Sequence, residues 1–569
     1  MFQPLKTFLS TIIFLYVNHI TCAQVEKISE SSMRGPFSRT TSINNGILYY
    51  VDESGSLWRT DGSSSGTYEV FHIEPDIFGE NLAYELKAVN DKVLFKSGTE
   101  LFSTNGTING TVKIADTREL LQPVGEVIYD SNYYYLGRNL DYKSLQLIKT
   151  DGTKGGTIIY NSQFSDSSLY YSNQELHYIN DKYLVTAGSK PGTIDKLIAV
   201  DISKNSSSVI ADISGKCNFN ALGKNQTLFL TSNVTGIENN LKIKLWSTNG
   251  SLDSTKVIKE FSGEYRSNYI IMKGENHLIL FLPTLNSSYE LWITDGTTEG
   301  TELIDQIVIP EPLQTLISKN NLFYISTNSK NFQLVKLNLL NKEKEVLRST
   351  ERSISNLIPF RDHVIFKESD IFNSVILKLY DTSSVAIPVK ELSGETGPFH
   401  PTNDFVFFWQ NSEEFGFEPW VTDGTSEGTH IIKDVHPGSV GSVSKNNALN
   451  SNLNSIAFNN KFVFNLYDSI NNKTELWSTS TLITAISTSE TEAPDEFAFY
   501  PSPAGNTIHL LNLQDKIKDL KIYNSEGVLM VDKSDPEQTI DIRHLPNGLY
   551  QLRIQRTNNL KNYKLIVAR

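Results

Sequence analysis

The sequence predicts an all-β protein: an array of about ten four-stranded units followed by a small β-sandwich. Three observations carry this reading. A phrase recurs along the chain, as Tyr289 to Thr301 (YELWITDGTTEGT), Glu418 to Thr429 (EPWVTDGTSEGT), Leu57 to Thr67, Leu101 to Thr111, Leu147 to Thr157 and Leu245 to Thr255. The apolar residue before its turn recurs every 42 to 57 residues, mostly near ~46, which is the length of one propeller blade. Short apolar runs separated by Gly, Asn, Pro or Ser fill each period, and no window shows a helical period.

The N-terminal segment is read first. Lys6 precedes the apolar stretch Phe8 to Ile20, and Thr21-Cys22-Ala23 places small residues before Gln24. This is the pattern of a secretory signal occupying residues 1–23, cut between Ala23 and Gln24. Acylation of Cys22 is the second reading, which His19-Ile20-Thr21 fits poorly. No later stretch approaches the length of a membrane helix. After cleavage only Cys217 remains, so an exported chain holds its fold without an internal disulfide. Of 569 residues 39% are hydrophobic, enough for a large core, and the formal net charge is −13. The acidic balance disfavours nucleic acid and anionic membranes as partners.

The repeat region spans 24–477. Aligning the apolar residue before each turn gives Trp58, Phe102, Ile148, Ile198, Trp246, Trp292, Val335, Lys378 or Leu379, Trp420 and Trp477. The unit around Trp292 reads as four strands: Asn268 to Met272, His277 to Leu282, Tyr289 to Thr294 and Gly300 to Ile307. Four strands per period make a β-propeller-like array. The pairs Asp61-Gly62, Asp151-Gly152, Asp295-Gly296 and Asp423-Gly424, with Asn105-Gly106 and Asn249-Gly250, are expected as tight hairpin turns that need positive φ. Asp and Asn alternate at the first position. A general base or metal ligand requires the carboxylate and a turn accepts either, so these residues are expected to be structural. A slot that takes Trp, Phe or Ile asks for apolar volume between sheets. Gln24 to Glu30 is a candidate strand for the last unit, which lacks its own after Trp477.

These residues resemble the ELWxxDGT repeat family of exported bacterial proteins, best at Trp292 and Trp420 with their TDGT turns. The resemblance covers roughly residues 40–480; it implies a scaffold and assigns no activity. Both one large ring and two smaller propellers are compatible with ten units.

A Ser/Thr-rich linker, 478–494, precedes a module of different character at 495–569. Six or seven short strands in its length predict a small Ig-like β-sandwich. Tyr500-Pro501-Ser502-Pro503-Ala504, Leu520-Lys521-Ile522-Tyr523 with Glu526-Gly527, Leu545-Pro546-Asn547-Gly548-Leu549-Tyr550 and Lys564-Leu565-Ile566-Val567 resemble the C-terminal sorting domain of type IX secretion substrates. Ser502 stands where that family usually has Asn. The resemblance implies a Bacteroidetes-type bacterium, passage across the outer membrane by the type IX machinery, and release or attachment at the surface.

The sequence holds no zinc-protease HExxH pattern, no Cys pair for a metal, no P-loop, no dinucleotide fingerprint and no nucleophile elbow. No cofactor is expected. His400, His430 and His436 are the closest histidine trio, within reach of one unit. Glu413, Glu414 and Glu418 cluster near Trp409 and Trp420, which makes these five residues the candidate ligand surface. Acids beside aromatics suit sugar stacking or glycan hydrolysis. The expectation is a surface or secreted binding protein for an extracellular polysaccharide or protein. A glycan hydrolase and a purely structural surface component are the alternatives.

Overall fold

The computed structural model describes residues 25–567 apart from connecting segments, the longest being 443–454 and 480–497. The expected cleavage point, Ala23 and Gln24, and all but the first two residues of the expected linker lie outside the described residues. Every named element is a β-strand, and no helix among the described residues is long and apolar enough to cross a membrane. The chain divides into two compact units, Met1–Thr484 and Ala485–Arg569.

Among the described residues the first unit holds ten antiparallel sheets, which follow one another along the chain from the first, residues 41–71, to the tenth, residues 455–479. In the sixth the strands are Ile270–Lys273, Leu278–Pro283, Tyr289–Thr294 and Glu302–Ile307, each paired with the next. Leu278–Pro283 is buried at every position. A strand with neighbouring sheets on both faces reads as a continuous apolar run. The fourth strand, Glu302–Ile307, is exposed or half-buried at every position but Ile307.

Among the described residues, apolar clusters link each sheet to its successor in turn. One more joins the tenth to the first, bringing Phe458, Val463 and Leu476 against Leu48 and Tyr50. The order of sheet contacts is therefore a closed cycle. Strands of neighbouring sheets approach one another in pairs: Thr41–Asn44 and Ala83–Val89, Leu120–Tyr129 and Leu176–Ile179, Lys216–Leu222 and Ile270–Lys273, Thr315–Ser318 and Ser353–Phe360, and His400–Pro401 and Ser455–Phe458.

The tenth sheet is composite. Its strands Ser455–Phe458, Lys461–Asp468 and Lys473–Thr479 are completed by the N-terminal strand Val25–Ser29, antiparallel to Lys473–Thr479 with Lys27 opposite Trp477. Val25 and Ile28 are buried there, and Lys27 Nζ reaches Glu475 Oε1 at 3.0 Å.

The apolar slot packs against the preceding sheet: Trp58 on the tenth, Phe102 on the first, Trp292 on the fifth, Trp420 on the eighth. In seven sheets a bulge falls between this residue and the one before it. That register corrects one assignment. In the eighth sheet the bulge lies between Ile376 and Leu377, and Leu377 packs on the seventh sheet. The slot residue is therefore Leu377, the residue that follows the bulge, not Lys378 or Leu379; Lys378, one residue on, turns to the opposite face.

In the second unit, Ala498–Tyr500, Thr507–Leu511 and Thr539–Asp541 form one sheet, and Ile517–Asn524, Leu529–Ser534, Gly548–Arg556 and Leu560–Val567 another. Ile508, Leu510 and Ile540 of the first share a core with Leu520, Ile522, Leu552 and Leu565 of the second, as two layers of a sandwich do.

Candidate functional site

The recurring loop is larger than a two-residue hairpin turn. Between Tyr289–Thr294 and Glu302–Ile307 the chain spends seven residues. Only the glycine has positive φ, +91° at Gly296, and Asp295 does not, so the mirror-image turn that needs two such residues is not formed. Asp295 Oδ1 instead accepts from Thr297 N–H at 2.9 Å and Thr297 Oγ1 at 2.7 Å. Gly300 N–H donates to Thr297 Oγ1, and Thr301 Oγ1 donates to Thr297 O at 2.5 Å. Thr294 Oγ1 accepts from Gly296 N–H and meets Thr301 Oγ1 at 2.7 Å, closing the loop at its base. Asn105 Oδ1 receives the same two bonds from Thr107 at 3.1 and 2.8 Å, and Asn249 Oδ1 from Ser251 at 3.1 and 2.8 Å. The first position acts as an acceptor, a role an amide oxygen fills as well as a carboxylate.

These loops also join sheets. The preceding sheet sends a donor to a carbonyl at the Asp-Gly step of each. Lys461 Nζ reaches Asp61 O at 2.8 Å, Tyr68 OH reaches Gly106 O at 2.8 Å, and Asn90 Nδ2 reaches Asp151 O at 3.4 Å. Lys182 Nζ reaches Gly250 O at 3.1 Å, Gln226 Nε2 reaches Gly296 O at 3.0 Å, and Arg361 Nη1 reaches Asp423 O at 3.4 Å. The glycine therefore serves twice, by its positive φ and by leaving room. A Cβ on Gly62 would meet Lys461 at 2.5 Å, and one on Gly296 would meet Gln226 at 2.8 Å.

The five candidate ligand residues separate. Trp409 is 3% exposed. Its ring lies 5.1 Å from Phe464 and 5.7 Å from Phe462, within the core between the ninth and tenth sheets. Glu418 is fully buried. Its carboxylate accepts from Val435 N–H at 3.1 Å, His436 N–H at 3.4 Å and Ser442 Oγ at 2.6 Å. Burial pushes its pKa up to about 7, against the pull of those bonds. Neither residue is a surface group. A strand buried on both faces hides both of its side-chain parities, so proximity in sequence to an exposed acid does not expose its neighbours.

Glu413, Glu414 and Trp420 do converge. With Phe415, Gln410 and Lys390 they line an open cleft of ≈ 420 Å³ between the eighth and ninth sheets. Glu413 and Glu414 are exposed at the hairpin joining Val406–Ser412 to Gly416–Thr422. The Gln410 amide is held by Ser393 O and Asn411 O, both at 2.7 Å. Lys390 Nζ is engaged by Thr429 O at 2.8 Å. The Trp420 Nε1 is buried without a hydrogen-bond partner.

One recurring structural position was not read as such from the sequence, although Glu418 was singled out there for another role: the glutamate two residues before the tryptophan. Glu290 Oε2 accepts from Trp292 Nε1 and Tyr265 OH, both at 2.9 Å, and Glu475 Oε2 accepts from Trp477 Nε1 at 3.3 Å. The signal was present in ELW, EPW and ELW at 290, 418 and 475. The three histidines do not meet as a ligand set. His400 lies on the first strand of the ninth sheet beside Ser455, His430 on its fourth, and His436 contributes a backbone N–H. No group of three metal-ligating side chains occurs among the described residues.

Residues 498–568 match the family described as "Secretion system C-terminal sorting domain". The chain thus carries a type IX sorting module, which supports a protein secreted or displayed at the cell surface by that system. No curated protein matches the chain. Among solved structures it is similar to a prolyl endopeptidase (12% identity, 64% of this chain and 55% of that one, TM-score 0.33). A puromycin-hydrolyzing peptidase of Mycobacterium tuberculosis gives 9% identity over 61% of this chain and 59% of that one, TM-score 0.28. A structure described as "the eukaryotic initiation factor" gives 8% identity over 68% and 95%, TM-score 0.40. The chain spans little more than half of either peptidase, and likenesses of this degree assign no activity.

Proposed function

We propose that the protein is a secreted or surface-displayed binding protein. In this reading the ten-sheet unit is a closed β-propeller of the ELWxxDGT repeat type, delivered by an N-terminal signal and the C-terminal sorting module. The closed cycle of sheet contacts and the paired strands of neighbouring sheets support the architecture. The ligand surface is the cleft between the eighth and ninth sheets, and the ligand an extracellular polysaccharide. The observation that carries this is the convergence of Trp420 and Phe415 with the exposed carboxylates of Glu413 and Glu414. An aromatic wall gives a stacking surface, and the carboxylates accept hydroxyl hydrogen bonds. Binding is favoured over hydrolysis because glycoside cleavage takes two carboxyls flanking one bond, one with a raised pKa. Here the carboxyl with the raised pKa, Glu418, is sealed beneath Val435, His436 and Ser442, outside the cleft.

The test is retention of the full chain on immobilised polysaccharides, with the flow-through assayed for released sugar. The expected result is retention without release, weakened in Glu413→Gln/Glu414→Gln, whose exposed side chains leave the sheet packing of Trp420 in place. Release of sugar, or retention unchanged in Glu413→Gln/Glu414→Gln, overturns the assignment.

A further inference from the structure

The ninth sheet ends unlike the others. Its fourth strand is only His430–Ile431, and the residues that follow join three elements. Ile432 N–H donates to Pro419 O at 2.9 Å. Val435 and His436 give their N–H groups to the Glu418 carboxylate, and Ser442 adds its hydroxyl. Lys433 Nζ donates to Val25 O at 3.0 Å. Val25 opens the N-terminal strand that completes the tenth sheet, and it shares an apolar cluster with Ile432 and Val435. Glu290 and Glu475, at the same motif position, each hold their own tryptophan; Glu418 holds a covering segment instead.

We propose that Glu418 is the proton-sensitive catch of a clasp, through which Ile432–His436 braces the N-terminal strand. With the carboxyl protonated, its O–H donates to Ser442 Oγ and its carbonyl oxygen accepts from Val435, and the segment is seated. With the carboxyl ionised, a fully buried charge sits beneath the segment, which is relieved when the segment lifts and admits water. Lifting removes the Lys433 brace from Val25. The charged neighbours leave the catch unneutralised. Asp434, on the covering segment, repels the ionised form. Lys433 is committed to Val25 O, Lys27 to Glu30 and Glu475, and Lys390 to Thr429 O. Gln410, directly across the strand pair, is neutral. His436, on the same covering segment, meets the carboxylate through its backbone N–H.

The sign follows from the raised pKa. The seated state binds the proton more tightly than the lifted one, so its advantage is complete below the ordinary carboxylate value. It is lost as pH rises through about 7. The test is amide hydrogen exchange on the full chain at about pH 5.5 and about pH 8.5, corrected for the intrinsic exchange rate. Val25–Ser29 is expected to open about tenfold or more readily at the higher pH, one pKa unit of differential proton binding being a factor of ten. Glu418→Gln should abolish that difference; its persistence, or its absence from the unsubstituted chain, overturns the proposal. Should Glu418→Gln not fold, Lys433→Met decides. The covering segment should keep its pH response while Val25–Ser29 loses it, and a retained response in Val25–Ser29 refutes the coupling.

Discussion

The recurring aspartate, an acceptor and nothing more, can be tested in that role directly at Asp295. Asp295→Ala removes the oxygen that receives Thr297 N–H at 2.9 Å and Thr297 Oγ1 at 2.7 Å. Each net hydrogen bond contributes about 0.5–1.5 kcal/mol. Asp295 is solvent-exposed, so water takes over part of both bonds, and a loss of about 1–2 kcal/mol is expected. Asp295→Asn keeps the acceptor, in the geometry already seen at Asn105 and Asn249. Its expected cost is under about 0.5 kcal/mol. The two differ also in pH response. The hydrogen bonds from Thr297 hold the Asp295 carboxyl below its ordinary value. Its contribution is therefore present above the unfolded carboxylate value and lost as pH falls through the depressed folded one. The Asn variant lacks that component. Urea unfolding of the three proteins at neutral pH and near pH 3 measures both effects. An Asn variant as damaged as the Ala variant refutes the reasoning, because the carboxylate itself would then be needed.

Further outcomes follow from the same geometry. Gly296→Ala forces a Cβ to within 2.8 Å of Gln226 at φ +91° and should cost about 1–3 kcal/mol. Gly155→Ala, with open space around it and no positive φ, should be neutral in the same urea-unfolding comparison. Arg348→Met strips Glu368, whose side chain is 3% exposed, of its 2.6 Å partner, for an expected loss of about 3 kcal/mol. Adding Glu368→Leu should recover most of it. Deleting Val25–Ser29 removes the buried Val25 and Ile28 and bares the edge of Lys473–Thr479. Stability should fall by about 3–5 kcal/mol, with self-association at the bared edge visible by light scattering.

How much of this was legible in the sequence depends on the distance over which each interaction acts. The apolar slot was readable because sheet-to-sheet packing repeats the same demand at every period, and Trp58, Phe102 and Trp292 answer it. The completing strand was readable because the unit around Trp477 visibly lacked one, and Val25–Ser29 has the pattern to supply it. The inter-sheet role of the Asp-Gly loops was not. Lys461 and Asp61 are 400 positions apart, and nothing local to either announces the other. The candidate site was legible by half. The exposed hairpin acids Glu413 and Glu414 declared themselves, and Trp420 faced the same cleft. Glu418 and Trp409 misled: Glu418 lies under Val435, His436 and Ser442, a cover with no counterpart among the described residues of the other units, and Trp409 packs on Phe462 and Phe464 of the tenth sheet.

The sheets that lack the Asp-Gly loop show which interaction holds the stack. In the seventh, Asn338 Oδ1 caps the connection by accepting from Leu340 and Asn341 N–H. Lys342 and Lys344 reach back to Glu302 and Asp305 of the sixth sheet, both at 2.7 Å. These pairs are partly exposed, and such pairs contribute little. The apolar contact beneath them is undiminished: Val335, Leu337 and Leu339 pack on Phe281, Leu291 and Ile293 as the Trp units pack on their own neighbours. The loop can therefore degenerate where the slot cannot. Val335 and Leu377 still fill the slot where glycine and aspartate have gone. Adhesion between sheets resides in the buried slot, and the Asp-Gly loop adds a donor-to-carbonyl bond from the preceding sheet where it is present.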